Sequence, residues 1–93
     1  MKSIIQKGKR CWVCGTESNL HEHHIFFGSG LRKISEKNGF KVWLCAFHHN
    51  MSDKGVHFDK KLDKFLKRIC QLTYEKEHSH EEFMRLIGRN YLE

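Results

Sequence analysis

Two short chelating pairs constrain this chain most. Cys11 and Cys14 are separated by two residues, and so are Cys45 and His48; 30 residues lie between the pairs. A pair at this spacing lets both ligands of one turn point at one ion. Two such pairs complete a tetrahedral zinc site. Four protein ligands close the shell, so the site is expected to be structural rather than catalytic. A chain of 93 residues buries only a modest core, and a metal staple compensates for that. Gly15 follows the first pair and can take the positive φ that a knuckle turn needs. The fourth cysteine, Cys70, lies far from the others and is expected to be a small buried side chain.

Composition removes several classes. No apolar run approaches the roughly 18 residues of a membrane span. The first ten residues carry charge but no apolar stretch, so no secretory signal is visible and a cytoplasmic location is expected. In a reducing compartment, clustered cysteines favour metal over disulfides. Lys and Arg total 17 against 11 acidic residues, a net charge of +6, which permits a nucleic-acid partner without specifying one. Residues 1–93 read as one domain. Residues 1–10 form a basic arm or irregular lead-in, residues 11–57 the Cys/His core, and residues 58–93 a helical tail.

Local patterns sketch the elements. Residues 19–27 favour a strand, with His21 and His23 on one face and His24 on the other. Gly28-Ser29-Gly30 breaks it, and residues 31–38 form a loop or short helix. Residues 40–44 fit a second, antiparallel strand. A short helix is expected over residues 47–55, stopped by Gly55. Phe58, Leu62, Phe65, Leu66, Ile69 and Leu72 recur at helical spacing and predict an amphipathic helix over residues 59–77. Ser79 with Glu82 is a capping-box pattern opening a further helix, lined by Phe83, Leu86 and Ile87. Both apolar stripes are expected to be core.

Histidine is the compositional outlier, with eight residues, six of them between His21 and His57. A structural zinc consumes one. Strand alternation separates His23 from His24, so one can hold a divalent ion while its neighbour faces substrate. That division suits metal-assisted phosphodiester hydrolysis, in which an ion neutralises the phosphate and a near-neutral histidine deprotonates water.

The order Cys-x2-Cys, His23-His24-Ile25, Leu44-Cys45-x2-His48-His49 resembles the HNH nucleases of the ββα-metal fold, over roughly residues 11–57. It is particularly similar to small HNH proteins of phages and prophages of Gram-positive bacteria. The resemblance implies an α+β fold, a zinc-stabilised ββα-metal (HNH) core with C-terminal amphipathic helices. It implies a metal-dependent endonuclease that nicks or cuts DNA. His24 matches the general base. His23 and His49 match ligands of the catalytic ion, Mg²⁺, Mn²⁺ or another divalent metal. The third ligand is Asp53 or His57, and His57 is preferred because histidine is the commoner ligand in the family. Asn38 is the nearest candidate for the family's middle asparagine, and His21 for a support behind the ligands. Further partners would be a second copy or a phage DNA-processing protein, in the host cytoplasm if the chain is phage-encoded.

Lys9, Arg10, Arg32, Lys33 and Lys54 flank the Cys/His residues and are expected to contact DNA phosphates. His78 and His80 stand beside the helix cap and are expected to be solvated. The competing reading is a non-catalytic zinc module that binds nucleic acid as a recombination or packaging accessory. A third is a protein-interaction domain using the tail helices.

Overall fold

A computed structural model describes residues 1–51 and 54–93. Asp53, the alternative third ligand, lies outside the described residues. The elements run β1 (Leu20–His24), α1 (Leu31–Asn38), β2 (Lys41–Cys45), α2 (Ala46–His49), α3 (Lys60–Tyr74) and α4 (His80–Ile87). The chain is thus α+β, with one two-stranded antiparallel sheet and four helices among the described residues. No described helix is long and apolar enough to cross a membrane.

The strands pair so that His23 faces Val42 and His24 faces Lys41 across the ladder. β1 is shorter than the expected 19–27. Asn19 sits at φ 53, a turn conformation that delays its start. At the far end the Ser35 hydroxyl takes over from the ladder. It donates to the Phe26 carbonyl at 2.6 Å and accepts from the Phe26 N–H at 3.1 Å. That exchange ends β1 and anchors α1, while Ile25 still donates to the Phe40 carbonyl at 2.8 Å. Gly39, at φ 73, closes α1 and turns the chain into β2.

Residues 1–10 have no regular structure, but they are docked against β2 and the α1–β2 turn. Ile4 donates its N–H to the Gly39 carbonyl, and the Gln6 side-chain carbonyl accepts from the Trp43 N–H at 2.7 Å. Ile4 and Ile5 pack against the core.

The core is largely aromatic. Phe26 meets Phe40 and Phe83, Phe40 meets Tyr74, and Tyr74 meets Phe83, mostly edge-on or tilted. These rings join the end of β1 and the start of β2 to α3 and α4. Asp59 caps α3, accepting from the N–H groups of Lys61 and Leu62. The Ser79–Glu82 capping box opens α4. Buried Gln71 fixes the C-terminal segment: its amide donates to Asn90 and its carbonyl accepts from the Tyr91 N–H.

Two expectations need correction. The short helix runs only over Ala46–His49, because the chain then folds back: Val56 donates to the His48 carbonyl at 2.8 Å and His57 to the His49 carbonyl at 3.3 Å. Gly55 permits this return; a Cβ there would lie 2.8 Å from the His49 carbonyl oxygen. Its role is close approach, not only a helix stop. The apolar stripe of α3 is also not all core. Leu66, Cys70 and Tyr74 are buried, whereas Phe65 and Leu72 are 49% and 42% exposed, and Phe58, just before the helix, is 65% exposed. The apolar arc of this segment is wider than the layer beneath it can cover. Trp12 covers part of Phe65, with ring centroids 5.8 Å apart.

Candidate functional site

The first site joins the two chelating pairs. Cys11, Cys14, Cys45 and His48 each bring one ligand atom within 4.8 Å of the others. The Cys14 and Cys45 sulfurs lie 3.8 Å apart, Cys11 Sγ lies 3.8 Å from His48 Nδ1, and Cys45 Sγ lies 3.3 Å from the same nitrogen. A tetrahedron with zinc–sulfur bonds near 2.3 Å has sulfur–sulfur edges of about 3.8 Å. A disulfide would bring the sulfurs to about 2.05 Å. The group therefore has zinc-site spacing, and its cysteines are free thiols.

The thiols shift in opposite directions. Burial alone raises Cys11, but N–H groups of Cys14, Cys45 and Val13 lower it to about 6. Burial raises Cys45, with Cys11 and Cys14 adding to the rise against the lowering His48 N–H. A dication at the centre would stabilise all three thiolates together. Cys70 stands apart in α3, and burial pushes its thiol well up, which suits an inert packing role.

The second group is histidine alone. His23 from β1, His49 from the end of α2 and His57 from the returning turn also bring their ring nitrogens within 4.8 Å. His49 Nε2 and His57 Nε2 are 3.2 Å apart, close to the edge of about 3.3 Å for zinc–nitrogen bonds near 2.0 Å. His23 is 2% exposed, and its Nε2 is buried without a hydrogen-bond partner among the described residues. Such an orphan is costly unless something fills the place beside it. His49 uses its other nitrogen on His21, with Nδ1 atoms 2.9 Å apart. A metal-binding histidine is commonly oriented in this way. His57 is exposed, so the trio opens to solvent on one side.

Both inner histidines are ready to act as ligands at neutral pH. Burial, then the neighbouring His49 and His57, lowers His23 from 6.5 to about 3. Burial, then His57 and His21, lowers His49 to about 4. Because the folded His23 value lies below the unfolded one, the unfolded chain takes up protons first. The His23 contribution to stability is complete above about pH 6.5 and is lost as pH falls toward 3. In zinc-stapled protein without a second ion, imidazole NMR should therefore find His23 and His49 neutral from pH 8 down to 5. A midpoint above 6 for His23 would contradict the burial argument.

His24 points to the opposite face of β1. Its Nε2 lies 2.9 Å from Glu36 Oε1. Lys41, opposite His24 in the ladder, is buried and donates to Glu36 Oε2 at 2.6 Å and Glu22 Oε1 at 2.7 Å. Burial pulls Lys41 down, but its two carboxylates outweigh this and raise it. Glu36 is lowered to about 2, first by Lys41 and then by His24. The result is a fixed chain from Glu22 through Lys41 and Glu36 to His24. Sequence reasoning missed Glu36 and Lys41. The strand register could have paired Lys41 with His24, but the reach of Glu36 depends on how α1 packs.

Asn38 is not brought to His24: its amide donates to the Ile34 carbonyl one turn back in α1. Although His23 and His24 occupy opposite strand faces, both line one cleft of about 180 Å³, with Glu22, Phe27, Arg32, His49 and His57. Lys33 lines the adjoining hollow with His24, Arg32 and Glu36. Lys9 lies elsewhere, its ammonium 4.9 Å from the centroid of Trp43. Arg10 and Lys54 are exposed. His80 pairs with Glu75 at 2.9 Å, and His78 stacks on Tyr74 with centroids 4.2 Å apart. Both histidines are exposed, as expected.

Comparison with protein-family models, curated proteins and solved structures finds no significant match to this chain.

Proposed function

We propose that this chain is a metal-dependent endonuclease of the HNH type, hydrolysing phosphodiester bonds in DNA, with zinc at the Cys3His group as a structural staple. The observation that carries the reading is the buried His23 Nε2, without a hydrogen-bond partner among the described residues, beside His49 and His57 in a cleft that also contains His24. A closed four-ligand group and an open three-ligand group divide structure from chemistry as zinc sites generally do.

His23, His49 and His57 would hold the divalent ion. Three imidazoles suit Mn²⁺ or a later transition ion better than Mg²⁺, which prefers oxygen. When bound, the ion would neutralise the scissile phosphate and the leaving oxygen. The remaining work belongs to the chain. With its Nε2–H donated to Glu36, His24 keeps a basic Nδ1 with which to take a proton from water. Lys41 holds Glu36 in place. Arg32 and Lys33 bind backbone phosphates beside the cleft. His21 orients His49. The HNH resemblance implies 5′-phosphate and 3′-hydroxyl ends.

Supercoiled plasmid incubated with zinc-loaded protein and Mn²⁺, Co²⁺, Ni²⁺ or Mg²⁺ tests the proposal. Nicked or linear DNA is expected, most readily with the transition ions. Binding without cutting under every ion would replace the nuclease with a zinc-stapled DNA-binding module.

A further inference from the structure

Phe27 forms part of the cleft wall and has no role in the chemistry above. It is 41% exposed and lies beside His23, Arg32, His49 and His57. A single exposed phenylalanine is ordinary. This one is braced on several sides. His23 and His57 meet it edge-on, with centroids 6.0 and 5.5 Å away. The Lys67 ammonium stands over the ring, 4.9 Å from its centroid. Lys67 is itself held by Asp63 at 2.8 Å. The ring is thus braced by a cation and two imidazoles, and its exposed part lines the cleft.

We propose that Phe27 is a stacking platform for an unpaired nucleobase, so that the cleft prefers a single-stranded DNA segment to continuous duplex. Within a duplex each base face is covered by its neighbours. A single strand offers free base faces, and aromatic side chains bind them with little regard to sequence. Arg32 at the same cleft provides a phosphate contact beside the platform. The ring is already ordered by its contacts, so little conformational freedom is lost on stacking. This inference rests on the nucleic-acid reading of the cleft, but not on cleavage.

The test uses zinc-loaded His24→Ala protein, which should not consume its ligand. The probes are a 12-nucleotide single strand carrying 2-aminopurine and the matching duplex, at one salt concentration. Wild-type protein on the phosphorothioate form of the same strand repeats the measurement without the His24 substitution. The single strand should bind about tenfold more tightly than the duplex, with quenching of 2-aminopurine. Adding Phe27→Leu keeps apolar bulk but removes the ring, and should cost about tenfold in single-strand affinity together with the quenching. Phe27→Trp should retain both. Undiminished single-strand binding by Phe27→Leu, or preference for the duplex, overturns the inference. If plasmid is cut while Phe27→Leu binds single strands normally, the platform falls and the nuclease reading stands. If nothing is cut while Phe27→Leu loses binding, the reverse holds.

Discussion

Replacing Cys14 with alanine is expected to release the metal and the fold together. Cys14 is exposed, so truncating its side chain removes little packing. Any large loss of stability must then come through the ion. Structural zinc contributes about 10–16 kcal/mol of apparent binding free energy in small zinc domains, whereas whole domains are stable by about 5–15 kcal/mol. Here the site ties the knuckle at residues 11–14 to the end of β2 and the start of α2. With one ligand missing, the remaining thiols are left to compete at close range. Metal analysis should find the zinc lost, and circular dichroism should show no cooperative melt at 25 °C or above. Cys70→Ala is the control: it removes a fully buried sulfur, and should lower the melting temperature while leaving the metal content unchanged. A folded, zinc-free Cys14→Ala protein would show that the Cys3His group is not the staple.

Replacing His24 with alanine should reduce cleavage by about 10²–10⁴-fold, the range for loss of a positioned general base. Both metals should stay bound, because His24 belongs neither to the Cys3His group nor to the His23, His49 and His57 trio; the third cluster, which His24 forms with Glu22 and Glu36, already surrounds the Lys41 ammonium. Glu36→Gln separates orientation from proton transfer. Its amide oxygen can still accept from Lys41, but the negative charge facing His24 is gone. Cleavage should fall by about tenfold, because the charged partner that holds and orients the imidazole is lost. Unchanged cleavage by Glu36→Gln would make Glu36 a structural contact only. Unchanged cleavage by His24→Ala would remove His24 from the chemistry.

Much of this arrangement could be read from residue spacing. The pairs around Cys11 and Cys45 define a candidate metal group without knowledge of the fold, because chelate geometry is local. Strand alternation correctly divides His21 and His23 from His24, because the backbone imposes that period. The placement of Glu36 was not legible. It depends on Ser35 clasping Phe26 and so seating α1. The role of Gly55 was hidden for a related reason: its close approach to His49 exists only after the chain has turned back. The α3 stripe misled because periodicity reports an apolar arc but not its share of cover. Phe65 and Leu72 lie on the uncovered part, and Phe58 precedes the helix altogether.

The most direct measurement is a Co²⁺ titration of protein that already carries one zinc, with plasmid nicking assayed at each addition. Nicking should be negligible at the start, rise in proportion to added Co²⁺, and level off at one equivalent; His23→Ala should stay folded and show no such rise. Full nicking with zinc alone, no nicking at any Co²⁺ concentration, or an undiminished response in His23→Ala would contradict a catalytic ion at His23, His49 and His57.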